Sequence, residues 1–310
     1  MPDEKDLKKE YGFGILITLF GAILFSTKAI FVKLAYKNTG VDAVTLVALR
    51  MAFAAPFYLL VAYFYKTGKL LRSLTLKQKA TIFILGLTGY YLSSLCDFIG
   101  LQYLTASLER LILFLYPTFT VLLSALFFKE KIKKVQVFAL LLTYTGIALG
   151  CFSELNIDIE LHRFFIGLFF LVLCAFFFAL YLVGAGKIMQ KTGATSFTAL
   201  AMLSAATGIL LHYLFRGDYH TVFTGKLLGY GLLLGIIATV IPSFMISRGI
   251  KSIGANNAAI VASIGPVATI IQAHFYLGEK IFALQLVGTF FVIAGIFLIS
   301  WKPKEIDLQE

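Results

Sequence analysis

The sequence predicts an all-α integral membrane protein whose ten transmembrane helices form two inverted repeats of five helices. Three observations predict this fold class. Of the 310 residues, 59% are hydrophobic and 14% are charged, whereas about 45 to 50% of the residues in soluble domains are apolar. Apolar windows close to the roughly 20 residues that cross a bilayer recur along the whole chain. The second half also repeats residues of the first half at a constant spacing.

Ten apolar windows can be placed along the chain, with short polar stretches between them. They begin near Gly12, Asp42, Gln78, Thr105, Lys134, His162, Thr195, Lys226, Ala255 and Ile281. No polar tract long enough for a linker interrupts them, so we expect one integral membrane bundle surrounded by membrane lipid. In such a protein the formal net charge of +11 is expected in the loops, and it does not indicate a nucleic-acid partner.

The basic residues are divided unevenly between the two sides of the membrane. When the loops are assigned to alternating sides, 18 Lys and Arg residues fall on the side of the termini and six fall on the other side. Cytoplasmic loops carry the excess of Lys and Arg in membrane proteins. We therefore expect a multi-pass protein of the cell membrane with both termini in the cytoplasm.

An internal repeat connects the two halves of the chain. Pro117 recurs 149 positions later as Pro266, and the Glu-Lys-Ile sequence at 130–132 recurs without a gap at 279–281. Coincidence is a poor explanation for matches at one fixed spacing. Because each half holds an odd number of spans, the second half must enter the membrane in the opposite sense, as in the inverted repeats of secondary carriers.

We expect the first five-helix repeat in residues 1–152 and the second in residues 153–310. The matched prolines Pro117 and Pro266 lie inside spans and should bend them. They are therefore candidate hinges, although static packing explains a matched bend equally well. Glu130 and Glu279 mark helix ends, where we expect them to act as caps.

Several segments match the pattern of one known family. They are residues 106–130, their copy at 254–280, Lys33, the Leu49-Arg50 pair and residues 249–254. In order and spacing these segments resemble the EamA-like branch of the drug/metabolite transporter superfamily. One departure is Phe25-Ser26, where that family often has a Trp-Gly pair. The resemblance implies a ten-helix carrier that moves small metabolites, often outward, by alternating access, and it names no cargo.

Five ionisable residues lie inside apolar spans of the first half: Lys28, Arg50, Asp97, Glu109 and Arg110. Each charge at a helix centre costs about 2.5 to 3.5 kcal/mol on insertion scales. They must therefore pair, reach an interface or face water. Glu109 and Arg110 are adjacent and point about 100° apart, so each is expected to meet another helix. Their depths predict one polar cluster in the outer half of the bilayer.

Neighbouring side chains extend this cluster into a candidate substrate pathway. Tyr90 and Ser94 share the helix face of Asp97, and Tyr116 and Thr120 share the face of Glu109. From the second half, Gln272 is a further candidate for hydrogen bonding, although interhelical contacts explain it as well. The functional interpretation is a substrate site or an ion relay. The alternative is a structural ion-pair network that fixes helix register.

The charges also suggest a ligand class. Three cations against two carboxylates favour a ligand with a carboxylate or another anion, for which Arg50 or Arg110 could form a bidentate clamp. An amino-acid-like zwitterion would use both signs, and either Asp97 or Glu109 could carry coupling protons. In the second copy, Ala258 and Ala259 occupy the positions of the adjacent pair in helix four. Any site therefore has charged side chains from the first half without charged counterparts in the second half.

The sequence offers no sign of an enzyme. It contains neither an H-E-x-x-H motif nor clustered aspartates, and its four histidines are scattered. We expect no catalytic residue, no metal and no cofactor. The leading hypothesis is a secondary transporter that exports small polar metabolites, amino-acid-like or organic-anionic. The alternatives are an exporter of cationic or lipophilic drugs and a non-transporting membrane scaffold or sensor. The sequence leaves open whether the chain forms a homodimer.

Overall fold

The computed structural model of the chain describes residues 4–129, 134–155, 160–216 and 224–300. Within these ranges every regular element is a helix. Nine helices of the described residues are long and apolar enough to cross a membrane, and Ala283–Leu298 is a shorter apolar helix. The predicted all-α class with ten membrane helices is confirmed.

The ten membrane helices are labelled α1 to α10 in chain order. They are α1 Glu4–Thr39, α2 Ala43–Phe64, α3 Leu76–Tyr103, α4 Ala106–Phe128, α5 Lys134–Leu155, α6 Leu161–Thr192, α7 Ala194–Arg216, α8 Gly225–Gly254, α9 255–277 and α10 Ala283–Ser300. A short surface helix, Thr67–Ser73, connects α2 to α3. Gly254, at φ 81°, interrupts the helical backbone between α8 and α9.

Polar N-cap residues, which directly precede the first helical residue, explain where several helices begin. The side chain of Thr75 accepts a hydrogen bond from the Gln78 amide at the start of α3, and Thr224 does the same for Leu227 at the start of α8. Such caps satisfy backbone amides that the first helical turn leaves without partners. Thr75 and Thr224 are 149 positions apart, so the repeat includes its helix starts.

Two helices are broken at matched positions. The helical backbone of α4 is interrupted at 114–115, and that of α9 at 263–264. Pro117 and Pro266 follow these breaks, in the first turn of the resuming helix. Proline lacks the amide hydrogen that a continuous helix needs, but it fits the first turn of a new one. These are the bends predicted from the sequence, whereas their use as hinges stays a prediction.

The packing of the helices follows an approximate twofold relation between the halves. Three contacts join helices that are copies of each other, namely α2 with α7, α4 with α9 and α5 with α10. The contact of α1 with α8 has its counterpart in the contact of α6 with α3. Because each half contributes five helices, the two halves cross the membrane in opposite senses. The described fold is therefore a pair of inverted five-helix repeats.

Small residues bring α5 and α10 close together. A Cβ atom built on Gly146 would clash with the Gly288 carbonyl oxygen and lie 2.8 Å from a Val292 methyl carbon. Gly295, the copy of Gly146, would meet the Ala139 carbonyl oxygen at 2.7 Å. Such close approach is a common way for membrane helices to associate without a hydrophobic driving force.

We predict opposite effects for the same substitution at two glycines. Gly146→Ala should lower the free energy of unfolding by about 1 to 3 kcal/mol, because the added methyl group overpacks the α5–α10 contact. Gly229→Ala is the matched control, since no heavy atom lies within 4 Å of its added Cβ. This substitution should raise the free energy of unfolding by about 0.5 to 1 kcal/mol, because alanine loses less conformational freedom in a helix than glycine does. Thermal unfolding of the detergent-solubilised protein measures both, and equal responses would contradict the close contact.

Candidate functional site

Three ionisable side chains from three helices meet inside the first half. The Lys28 ammonium in α1 donates hydrogen bonds to Asp97 in α3, at 2.5 Å, and to Glu109 in α4, at 3.2 Å. All three residues are buried, and Glu109 has no exposed surface. We call these residues the triad. Its geometry explains how three of the five intramembrane charges are accommodated.

The triad contains one more carboxylate than cation. Oδ1 of Asp97 and Oε2 of Glu109 are buried and have no hydrogen-bond partner among the described residues. An uncompensated charge in an apolar interior is costly, and so is a buried acceptor without a partner. The triad therefore has the chemical capacity to take up a proton or the positive group of a ligand.

The Arg110 side chain contacts the second half of the protein. Its guanidinium lies against Gly265 of α9, where a built Cβ atom would be 2.6 Å from Nη2. The Cζ atom is 5.7 Å from the ring centroid of Phe25 and 5.8 Å from that of Phe114. The Ser26 hydroxyl donates to the Gly265 carbonyl at 3.1 Å, which fixes α1 against α9 at the same point. Arg110 thus sits where the two halves meet.

Arg110 forms neither an ion pair nor a side-chain hydrogen bond with any side chain that the structure describes, whereas Lys28 has two carboxylate partners and Arg50 has two hydroxyl partners. Its Nε atom is buried without a hydrogen-bond partner, while the residue as a whole is half-buried. The two neighbouring rings can stabilise the cation, but they supply no anion. The guanidinium is therefore available to a carboxylate or phosphate, which it can bind through two parallel hydrogen bonds.

Arg50 has neutral partners. Its Nε donates to the Thr239 hydroxyl of α8 at 3.0 Å, and its Nη1 donates to the Ser94 hydroxyl at 3.3 Å. Its Cζ atom lies 5.5 Å from the ring centroid of Phe98. The expected single cluster is thus divided into the triad, an Arg50 position tied to α3 and α8, and Arg110 beside α9. The sequence had indicated depth along each helix, but not the direction of each side chain.

The uncharged candidate residues lie around these charges. The Tyr90 hydroxyl is 3.2 Å from that of Tyr181, and the Tyr116 ring packs on Phe178 with centroids 5.3 Å apart. Both pairs join the first half to α6. Thr120 donates to its own helix at Tyr116, and the Gln272 amide donates to Ile23 of α1 at 3.4 Å. Neither Thr120 nor Gln272 makes a described hydrogen bond to the triad.

Two contributors to the site were missed from the sequence, although the repeat carried a signal for each. Gly265 is the copy of Tyr116, and the loss of a large side chain there makes room for the Arg110 guanidinium. Thr239 is the copy of Tyr90 and lies in the π-helical segment Leu233–Val240, where its hydroxyl meets Arg50. A position where one copy is large and the other small marks a place where the two halves differ in chemistry.

We predict that removing the cation destabilises the triad strongly. Lys28→Met should lower the free energy of unfolding by about 3 to 5 kcal/mol, because two buried carboxylates then lack their shared partner. Adding Asp97→Asn should restore part of the loss. Lys69→Met, the same change at an exposed position, serves as the control and should have little effect. Denaturant unfolding in detergent measures all three variants, and a harmless Lys28→Met would contradict the ion-pair geometry.

Comparison with known proteins agrees with this architecture. The sequence model of the EamA-like transporter family matches residues 12–150 and again residues 165–301, one match in each half. A solved crystal structure with 18% sequence identity superimposes with a TM-score of 0.64 over 92% of this chain and 97% of that chain. At that identity the likeness concerns the fold alone.

Relatives occur in bacteria and plants. The chain is 29% identical over 308 residues to the uncharacterized transporter YcbK of Bacillus subtilis, covering 95% of this chain and 96% of that protein. It is 22% identical over 298 residues to the WAT1-related protein At1g11450 of Arabidopsis thaliana, covering 87% and 84% of the two chains. Since the family matches both halves of the chain, the protein belongs to the EamA-like transporter family, whose members are transporters and not enzymes.

Proposed function

We propose that the protein exports small polar metabolites bearing a carboxylate or another anionic group, including amino-acid-like zwitterions, by alternating access. The observation that carries this proposal is the Arg110 guanidinium, which lies at the contact between the halves without an ion-pair partner among the described side chains. Substrate sites of carriers with inverted repeats lie near the midplane where the repeats meet. Arg110 lies where the repeats meet, on α4 against Gly265 of α9.

The charges favour an anionic group over a purely cationic drug. Both carboxylates of the triad are already engaged by Lys28, whereas Arg110 has no such partner. A cationic cargo at the free carboxylate oxygens would lie beside the Lys28 ammonium, which repels it, and it would leave Arg110 without an anion. An anionic group can bind Arg110 without breaking an ion pair, and a zwitterion can add its ammonium to the free carboxylate oxygens of the triad.

The triad is also the proposed site of proton coupling. With both carboxylates ionised it carries one excess negative charge, and one proton on a carboxylate oxygen would remove that excess. The same carboxylate would release the proton to water when the site opens to the other side. This assignment is supported by the two buried carboxylate oxygens without described partners.

The proposed conformational change uses the matched breaks in α4 and α9. Pro117 and Pro266 mark positions where each helix already lacks a continuous hydrogen-bond ladder, so rotation there requires few bonds to break. Rocking of one half against the other about these breaks would expose Arg110 to one side at a time. The uneven distribution of Lys and Arg supports cytoplasmic termini in the cell membrane.

A thermal-shift screen of the purified protein tests the substrate class. We expect organic acids or amino acids to stabilise the wild type, by about 2.7 kcal/mol at 100 times the dissociation constant. Arg110→Ala should abolish this shift while remaining folded. Arg248→Ala, which removes an exposed guanidinium 3.9 Å from Glu10, is the matched control and should respond like the wild type. A shift by cationic drugs alone, or an anion-dependent shift that survives Arg110→Ala, would overturn the proposal.

Glu109→Gln tests the proton coupling in proteoliposomes. The amide keeps the shape of the carboxyl group but cannot take up a proton at neutral pH. We expect the wild type to move protons together with the substrate identified in the screen, as reported by a pH-sensitive dye. The variant should exchange substrate without accompanying protons. Unchanged proton movement by Glu109→Gln would exclude Glu109 as the coupling group and leave Asp97 to be tested in the same way.

A further inference from the structure

A basic vestibule opens on the membrane side opposite to the start of α1. This cavity of about 610 Å³ lies between the last turns of α1, α3 and α9 and the first turns of α4 and α6. Its charged lining residues are Lys33, Lys37, Arg163 and Glu279. Glu109 belongs to the first turn of α4 and has no exposed surface. The beginning of α4 therefore separates the vestibule from the triad.

The Glu279 carboxylate joins the two halves at this level. It accepts hydrogen bonds from the Ala106 amide at 2.8 Å, from the Ser107 amide at 3.2 Å and from the Ser107 hydroxyl at 2.7 Å. It thus caps a helix of the other half, where a carboxylate is favoured by the helix dipole. Glu279 was expected to be a cap, and its partner helix could not be read from the sequence. Glu130, its counterpart, lies outside the described residues.

The groups on either side of this contact are held firmly. The Glu279 amide donates to the Ala273 carbonyl at 3.2 Å, and its carbonyl oxygen lies 2.9 Å from Nδ1 of His274. On the α4 side, the Lys33 ammonium donates to the Leu101 and Leu104 carbonyls at 3.1 and 2.9 Å. These bonds fix the end of α9 and the turn before α4, so the carboxylate connects two rigid segments.

We infer that Glu279, bound to Ala106 and Ser107, is a latch that keeps the vestibule side closed over the triad and must release for the site to open there. The same first turn of α4 carries the latch and Glu109, so movement of this turn away from α9 also separates Glu109 from α1. The contact crosses from one half to the other, and charge-assisted hydrogen bonds of this kind are about twice as strong as neutral ones. The inference concerns how the site opens and does not depend on which solute is carried.

Thiol labelling from each side of the membrane tests the latch. Cys174 is buried, and its Sγ atom lies 3.2 Å from the Ser93 hydroxyl. Ser93 precedes Asp97 by one turn of α3, so the thiol reports on access to the triad. With Cys96→Ala and Cys151→Ala in the background, Cys174 is the single reporter. We expect Glu279→Ala to raise its labelling rate by a membrane-impermeant methanethiosulfonate added to the vestibule side at least about tenfold. This factor corresponds to about 1.4 kcal/mol.

Two further variants keep the result interpretable. Glu10→Ala makes the same replacement at an exposed residue beside Arg248, and it should label at the wild-type rate from both sides. Ser107→Ala removes only the hydroxyl contact, so it should give a smaller increase alone and none when added to Glu279→Ala. If Glu279→Ala does not fold, Ser107→Ala carries the test by itself.

The latch is overturned if Glu279→Ala, or Ser107→Ala in its place, labels at the wild-type rate from the vestibule side. It is also overturned if labelling rises equally from both sides, because that result indicates general loosening. Labelling is measured without any solute, so it succeeds or fails independently of the ligand screen and of the proposed function.

Discussion

The shared contact of Lys28 with Asp97 and Glu109 organises the first half of this transporter. In the bilayer interior water does not solvate charges, so each buried charge must find its partner within the protein. One ammonium group on α1 binds carboxylates from α3 and α4, and it therefore joins three helices at one point. The arrangement leaves one negative charge in excess. With both carboxylates ionised, a proton or a ligand cation would balance this excess charge.

The scaffold is nearly symmetric, whereas the chemistry is not. The helix pairs, the breaks before Pro117 and Pro266, and the caps at Thr75 and Thr224 recur in both halves. The five intramembrane charges all belong to the first half. A symmetric scaffold can adopt two mirrored arrangements of similar free energy, which alternating access requires. The site is asymmetric: the first half carries the charges, and the second half supplies small residues, such as Gly265, that make room for them.

Much of this fold could be predicted from the sequence, because apolar span length, repeat spacing and proline position are local properties of the chain. The identities and depths of the buried charges were equally visible. Their partners were not, since pairing depends on how each helix rotates about its axis and on which helices touch. Arg50 illustrates the difference: its depth was predicted, but its partner Thr239 lies on α8, which contacts α2 only in the folded bundle. The contact of Glu279 with α4 likewise joins residues that are 172 and 173 positions apart.

Arg50 and Arg110 show that the hydrogen-bond partners of an arginine matter more for ligand binding than its charge alone. Arg50 donates to Thr239 and Ser94, so a ligand would have to break existing hydrogen bonds to reach it. Arg110 has a buried Nε atom without a described partner, and the folded protein bears that desolvation cost in the absence of ligand. An anion that binds Arg110 removes the cost and therefore gains more free energy than it would at Arg50. An anion that leaves Arg110 in a closed site restores the cost, whereas in a site open to water a water molecule can take its place and the cost of release falls.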